Sequence, residues 1–255
     1  MPSSDELSKT QVDRLGDRLR KGDISEADLR LLDSYRRSFA EAYECVVRRI
    51  RDQLKLEPTG RPAKSTTSIV DKLQRESVRL SQMQDIAGCR LTVADITVQD
   101  NVITQLKTLF DKATIVDRRE LPSHGYRAVH VIVDSSGQFI EIQVRTSLQH
   151  LWAELSEKFS DVIGPEIKYG KGDQKVLESL SVTSDMITDV EVAERTLNDI
   201  LSTVAPGRTL SENMNRKVSE ARELIGDRRR RAASLISLLR DVTLREKGRE
   251  DALFD

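Results

Sequence analysis

Two carboxylates and a scatter of cations between residues 64 and 143 are the groups in this sequence best suited to chemistry. Asp85 stands in "MQDIAGCRLTV", just ahead of an apolar strand-like run, and Glu141 lies at the centre of a second run, "QFIEIQV". Taken singly, each is an ordinary solvated acid. Alternation changes the reading of Glu141, because Phe139, Glu141, Gln143 and Arg145 fall on one face of a strand. Val129, Val131 and Val133 alternate in the same way with Ala128, His130 and Ile132. One sheet face is therefore apolar enough to bury, and the other gathers Glu141, Gln143, Arg145 and His130 toward solvent or a cleft. Two carboxylates converging on one site would suit magnesium, a hard ion that takes oxygen ligands beside substrate phosphates. Lys64, Lys72, Arg75 and Arg90 supply cations, Lys as a point charge and Arg through paired hydrogen bonds or stacking. Tyr126 follows Gly125, so its ring can reach from a turn as a platform for a base. The pattern is that of a nucleotide-binding cleft.

The elements that must hold these groups follow from periodicity. "AGCRLTV", "ATIVDR", "AVHVIV" and "QFIEIQV" read as strands, the last two joined by turn residues 134–137. A short helix over 68–75 presents Lys72 and Arg75, and Thr97 with Asp100 suggests a capping box for a helix reaching Phe110. Residues 1–22 look frayed or weakly helical. A longer helix starts at Ser25, boxed with Asp28, and runs toward Leu56, where Pro58 and Pro62 end the pattern. Helical spacing returns in "SLQHLWAELSEKFSDVI". Beyond "GPEIKYGKGD", Val176, Leu180, Thr183, Ile187, Val190, Glu194, Leu197 and Leu201 mark one helix. "APGR" at 205–208 breaks it, and Met214, Val218, Ala221, Ile225, Ala232, Leu235 and Leu239 mark a second from near Ser211. A C-terminal helical hairpin, packed on the sheet domain or on another subunit, makes a homo-oligomer the expectation. The domain reading is an N-terminal helical region, 1–57, a core, 58–172, and a C-terminal helical region, 173–255.

Composition sets the outer bounds. With 41 basic and 42 acidic residues among 255, the net charge of −1 argues against a protein built to coat nucleic acid, yet permits one local basic site. Aromatics are only 4%, so Leu, Ile and Val must form the core. Cys45 and Cys89 each sit in apolar patterns and read as buried thiols. The opening "MPSSDELSKTQ" has no apolar signal segment and no run reaches membrane-spanning length, so a cytoplasmic protein without membrane contact is expected.

Four motifs in order, "TTSIVDKLQRES", "MQDIAGCRLTV", "HGYRAVHVIV" and "FIEIQVRTSLQHLWAE", resemble the synthetase domain of the RelA/SpoT family over about residues 58–160. The likeness is to a small, synthetase-only member: with three histidines, the sequence has no counterpart of the family's hydrolase domain. The resemblance implies an α+β fold, with a mixed β-sheet, nucleotidyltransferase-like synthetase core flanked by helices. It implies transfer of the β,γ-pyrophosphate of ATP to the ribose 3′-hydroxyl of GDP or GTP, making (p)ppGpp and releasing AMP. On that reading Asp85 binds Mg²⁺, and Glu141 shares the ion or takes the proton of the attacking hydroxyl. Lys64, Lys72 and Arg75 line the ATP phosphates and Arg90 lies near the adenine or its phosphates. Tyr126 stacks on the acceptor base, while His130 and Gln143 orient acceptor or donor groups. The chain departs from the family pattern at Pro122 and His124, where a lysine and an asparagine are usual, at Pro62 in an arginine's place, and at Ser156-Glu157 in place of Glu-His. Those departures leave open a toxin-like relative that modifies the tRNA 3′ end or adenine nucleotides and needs an antitoxin partner. "GDRRRRAAS" could then meet an RNA backbone. They also leave open a non-catalytic nucleotide sensor.

Overall fold

The computed structural model describes residues 7–22, 24–204 and 210–251, with side chains for all of these except Arg61 and 242–251. The fold is α+β. Strands β1 (Thr59–Arg61), β2 (Ala87–Val93), β3 (Thr114–Asp117), β4 (Val129–Ser135) and β5 (Gln138–Thr146) form a five-stranded mixed sheet in the order β1-β2-β5-β4-β3. The expected strands are all present. The turn between β4 and β5 is tighter than 134–137: Ser136 (φ 56°) and Gly137 (φ 83°) alone make it. Two successive left-handed residues give a turn whose twist matches its strands, and the Asp134 carboxylate accepts the Gly137 N–H at 2.8 Å.

The chain divides into two compact units. The first takes in residues up to Leu91, Ile103–Val116 and His130–Val144. Residues 9–21, within the stretch that reads as frayed or weakly helical, form a firm helix. Helix α1 (Lys9–Lys21) begins at a Ser8/Gln11 capping box, ends at left-handed Gly22, and buries Val12, Leu15 and Leu19. The stabilising partner is distant: Gly16 lets the helix approach Leu80 so closely that an added Cβ would lie 2.8 Å from the leucine Cβ. Arg20 Nε donates to the Leu73 carbonyl at 2.8 Å, and the Asp13 carboxylate accepts the Ser81 N–H at 3.1 Å. Helix α1 thus braces the segment that leads to Asp85. Residues 1–6 lie outside the described residues.

The single helix expected from Ser25 to Leu56 is divided into α2 (Glu26–Arg37), α3 (Ala40–Arg49) and a π-helical turn, Ile50–Leu54. Ser25 does cap α2 in a box with Asp28. The interruption falls where the Ser38 hydroxyl bonds back to the Tyr35 carbonyl at 2.8 Å, a competition that side-chain hydroxyls impose on helices. Helix α4 (Thr66–Arg75) is the expected short helix, started by Ser65. Helix α5 (Ile96–Leu109) is capped by Asp95 rather than Thr97, since the Asp95 carboxylate accepts the Val98 N–H at 2.9 Å. Cys89 is buried and Cys45 half-buried, both as free thiols.

The second unit comprises Thr92–Val102, Asp117–Val129 and residues from Arg145 onward. Its core joins α6 (Ser147–Ile163), α7 (Gln174–Ser202) and α8 (Glu212–Asp251). Leu148, Trp152, Leu155 and Phe159 of α6 meet Leu180, Ile187 and Val190 of α7 and Ala232 and Ile236 of α8. The C-terminal helices therefore pack on each other and on α6. The apolar stripe differs from the expected one on α8, where Met214 is exposed and Ile236, outside the stripe, is buried. The break at 205–208 lies outside the described residues. Among the described residues, no helix is long and apolar enough to cross a membrane.

Candidate active site

Asp85 occupies a turn immediately before β2, and its position is set by backbone as well as side-chain bonds. The Lys64 N–H donates to the Ile86 carbonyl at 2.6 Å, and Arg36 Nε donates to the Lys64 carbonyl at 2.6 Å, so α2 fixes the strap that carries Lys64. The Lys64 ammonium then donates to Asp85 Oδ2 at 2.6 Å, and Lys72, on α4, donates to Oδ1 at 2.9 Å. All three side chains are 17–22% exposed. Burial pushes the Asp85 carboxyl up, but the two ammoniums outweigh it and hold Asp85 below the usual carboxylate range. Arg75, one turn beyond Lys72, pairs with Glu76 at 3.2 Å. Arg90 is half-buried on β2 in register with Thr59.

Glu141 projects from the middle of β5. Its Oε1 lies 2.7 Å from His130 Nδ1 on β4, and its Oε2 accepts from Gln143 Nε2 at 2.8 Å. Burial pushes this carboxyl up and the charge on Asp85 adds to that. The hydrogen bond and field of His130, with the Gln143 amide, overcome both and hold Glu141 below its ordinary value. Room for the side chain comes from Gly88: a Cβ there would lie 2.6 Å from the Glu141 carbonyl oxygen and 3.4 Å from its Cβ. The first unit therefore brings together Asp85, Lys64, Lys72, Glu141, His130 and Gln143 in two hydrogen-bonded groups that sense each other's charge. Among the described residues no cluster of three or more His, Cys, Asp or Glu side chains could hold a metal. A divalent ion here would rest on one or two carboxylates plus water and phosphate oxygens, which is the donor set magnesium tolerates. Cys89 is buried on β2, where burial and then the charge of Glu141 push its thiol up to about 12.

The second unit holds Tyr126. Ser123 and Tyr126 exchange backbone hydrogen bonds of 3.3 and 2.9 Å, closing a tight loop around His124 (φ 51°) and Gly125 (φ 86°). The Ser184 hydroxyl of α7 donates to the Gly125 carbonyl at 2.8 Å, and Gly125 packs on Trp152. Arg145 was expected on the wet face with Glu141 and Gln143, but it is only 4% exposed. Its Nη2 donates to Tyr126 Oη at 2.9 Å and its guanidinium carbon lies 5.0 Å from the ring centroid. Ile132, in phase with His130, is buried as well, so that face of the sheet is mixed rather than polar. Tyr126, Arg145, Trp152, Glu157, Lys168 and Tyr169 line a cleft of about 260 Å³ within this unit. Lys168 and Tyr169 come from a 3₁₀ turn, Pro165–Tyr169, whose sequence carries no periodic signal.

Sequence periodicity also passed over Glu191, which is 4% exposed on α7. It accepts from Thr146 Oγ1 at 2.9 Å and Gln149 Nε2 at 2.8 Å, and Arg127 Nε approaches to 3.9 Å. Burial outweighs these partners and leaves its carboxyl raised. Three of the arginines in "GDRRRRAAS" are engaged: Arg229 with Glu194 at 2.6 Å, Arg230 and Arg231 with Asp227 at 3.6 and 2.8 Å.

Known proteins resemble parts of this chain in sequence and in fold. Residues 60–160 match the family described as the region found in RelA / SpoT proteins. Two relatives are the uncharacterized protein Rv1366 of Mycobacterium tuberculosis and the uncharacterized protein Mb1401 of Mycobacterium bovis. Each is 39% identical over 112 residues, which is 42% of this chain and 41% of the relative, so the match spans about two fifths of those proteins. Among solved structures, small alarmone synthetase 1 from Bacillus subtilis superposes with a TM-score of 0.51 at 23% identity, covering 65% of this chain and 97% of that one. The same synthetase bound to its product pppGpp gives 0.52 at 21%, covering 68% and 99%. These likenesses establish the fold. The segment that carries Asp85, Glu141 and their partners lies within residues 60–160, the part that matches the region found in RelA / SpoT proteins.

Proposed function

We propose that this protein is an ATP pyrophosphotransferase, moving the β,γ-pyrophosphate of ATP to the ribose 3′-hydroxyl of GDP or GTP, with residues 58–172 as its synthetase core. The observation that carries the reading is the head of β2, where the Asp85 carboxylate is shared between two ammoniums within electrostatic reach of Glu141. Two lysines on one carboxylate retain capacity for phosphate oxygens. In the reaction the acceptor 3′-oxygen bonds to Pβ while the bond from Pβ to the oxygen bridging toward Pα breaks, and AMP departs with that oxygen. Lys64 and Lys72 would move from Asp85 onto the donor phosphates, and Arg75 and Arg90 would flank them. Glu141, ionised by its neighbours, would take the proton of the attacking hydroxyl, with His130 and Gln143 holding its oxygens in place. Magnesium, held by Asp85 with or without Glu141, would neutralise charge on the transferring group. Tyr126 would offer the acceptor base its ring.

The test is γ-labelled ATP incubated in parallel with GDP, GTP, adenine nucleotides and bulk tRNA. The expected result is label in a guanosine product with AMP released, and a fall of about 100-fold or more for Glu141→Gln, which keeps the shape of the side chain and loses its basicity. Label on tRNA or adenosine would shift the assignment to the toxin-like alternative. Nucleotide binding without transfer to any acceptor would make the chain a sensor.

A further inference from the structure

The cleft around Tyr126 contains groups that the donor chemistry does not use. Its floor is Trp152, 3% exposed and committed through Nε1 to the Leu180 carbonyl at 2.8 Å. Arg145 is committed to the Tyr126 hydroxyl. The side chains of Glu157 and Lys168, by contrast, line the cleft with no hydrogen bond or ion pair to any described residue. A planar ring stacked on Tyr126 would therefore have an anionic acceptor and a cationic donor available at its edge.

We propose that Glu157 and Lys168 read the acceptor base and select guanine. Guanine presents two donors side by side, N1–H and the 2-amino group, which one carboxylate can accept together. Its O6 and N7 are acceptors that suit an ammonium. Adenine presents one exocyclic donor and sets the N1 lone pair against the second carboxylate oxygen, so the same pair of side chains disfavours it. That discrimination covers adenine nucleotides and a terminal adenosine of RNA alike. The inference rests on the reading of Tyr126 as the acceptor platform, but it concerns binding and stands or falls separately from transfer.

Isothermal titration of the full chain with GDP, IDP and ADP, with Mg²⁺ and without ATP, tests it. Hypoxanthine keeps N1–H and O6 and lacks the 2-amino group, so IDP should bind about 10-fold or more weaker than GDP, and ADP weaker again. Glu157→Gln should weaken GDP by about 10-fold and largely close the gap between GDP and IDP. Lys168→Met should weaken GDP and IDP equally and leave their ratio intact, because both carry O6 and N7. A fold defect would instead weaken all three ligands in both variants, and unchanged thermal unfolding guards against it. An unaltered GDP preference in Glu157→Gln, or ADP binding as tight as GDP in the parent, would overturn the proposal. GDP binding that depends on Glu157 with no transfer detected would leave it standing and remove the pyrophosphotransferase reading. Transfer to GDP that ignores Glu157 would do the reverse.

Discussion

Gly125 is the position at which substitution should report most directly on how the Tyr126 loop is held. With φ at 86°, any residue bearing a Cβ adopts a disfavoured backbone there, at about 1–2 kcal/mol. The added methyl would also lie 2.7 Å from Trp152 Cζ2 and 3.3 Å from Ser184 Cβ. Neither neighbour retreats freely. Trp152 is held through its indole N–H, and the Ser184 hydroxyl is bonded to the Gly125 carbonyl itself. Forcing a methyl into such a contact costs about 1–3 kcal/mol more, so Gly125→Ala should lose roughly 2–5 kcal/mol in all. Gly172→Ala is the control in the same unit. Its φ of 108° is also unfavourable, but its methyl would meet only the far end of Ile167, at 3.0 Å. Urea unfolding followed by fluorescence of the single tryptophan reads both variants. The difference between them should be about 1–3 kcal/mol, the packing part alone. If Gly125→Ala proved no worse than Gly172→Ala, the contact with Trp152 would not be what fixes the loop.

Two further outcomes follow from the buried acids. Glu191 is raised above its unfolded value by burial, so the folded state binds its proton more tightly than the unfolded chain does. Stability should therefore decline as pH rises from about the unfolded value of 4.5 through the higher folded one, and Glu191→Gln should abolish that decline. Parallel pH–stability curves for the parent and the variant would contradict the assignment. At Asp85 each oxygen accepts from an ammonium, so a divalent ion arriving without nucleotide competes with two lysines for the carboxylate. Lys72→Met should raise nucleotide-free Mn²⁺ affinity, read by electron paramagnetic resonance, by roughly tenfold or more, the worth of one charge-assisted hydrogen bond. Unchanged or weaker affinity would mean that Lys72 does not guard the carboxylate.

Periodicity located Glu141 because a strand's two-residue repeat is a local property, and His130 and Gln143 came with it. The same repeat misjudged Arg145. Alternation tells which side chains share a face, not what lies over them, and the ring that covers Arg145 belongs to a residue 19 positions earlier. The lysine clamp on Asp85 was hidden in the same way, its donors standing 21 and 13 residues before the acid. Glu191 interrupts no apolar stripe, so helical spacing marks it as surface. Only the fold reveals Thr146 and Gln149, 45 and 42 residues away, as its partners. In α1 the apolar residues at 12, 15 and 19 fall at helical spacing. The partner that makes the helix firm, the Leu80 segment, lies far along the chain, so from sequence alone the stretch reads as frayed or weakly helical.

The two-residue turn at Ser136 and Gly137 also limits how this protein's length can vary. Glu141 lies four residues beyond the turn and His130 six before it, so both arms are measured from the same fixed point. One residue inserted or deleted between them would slip the pairing and turn Glu141 toward the buried face, away from His130. A two-residue insertion would keep the alternation but shift the acid one repeat along its neighbour. Natural relatives and engineered versions that keep the Glu141–His130 contact should therefore vary in loop length elsewhere and hold this turn at two residues.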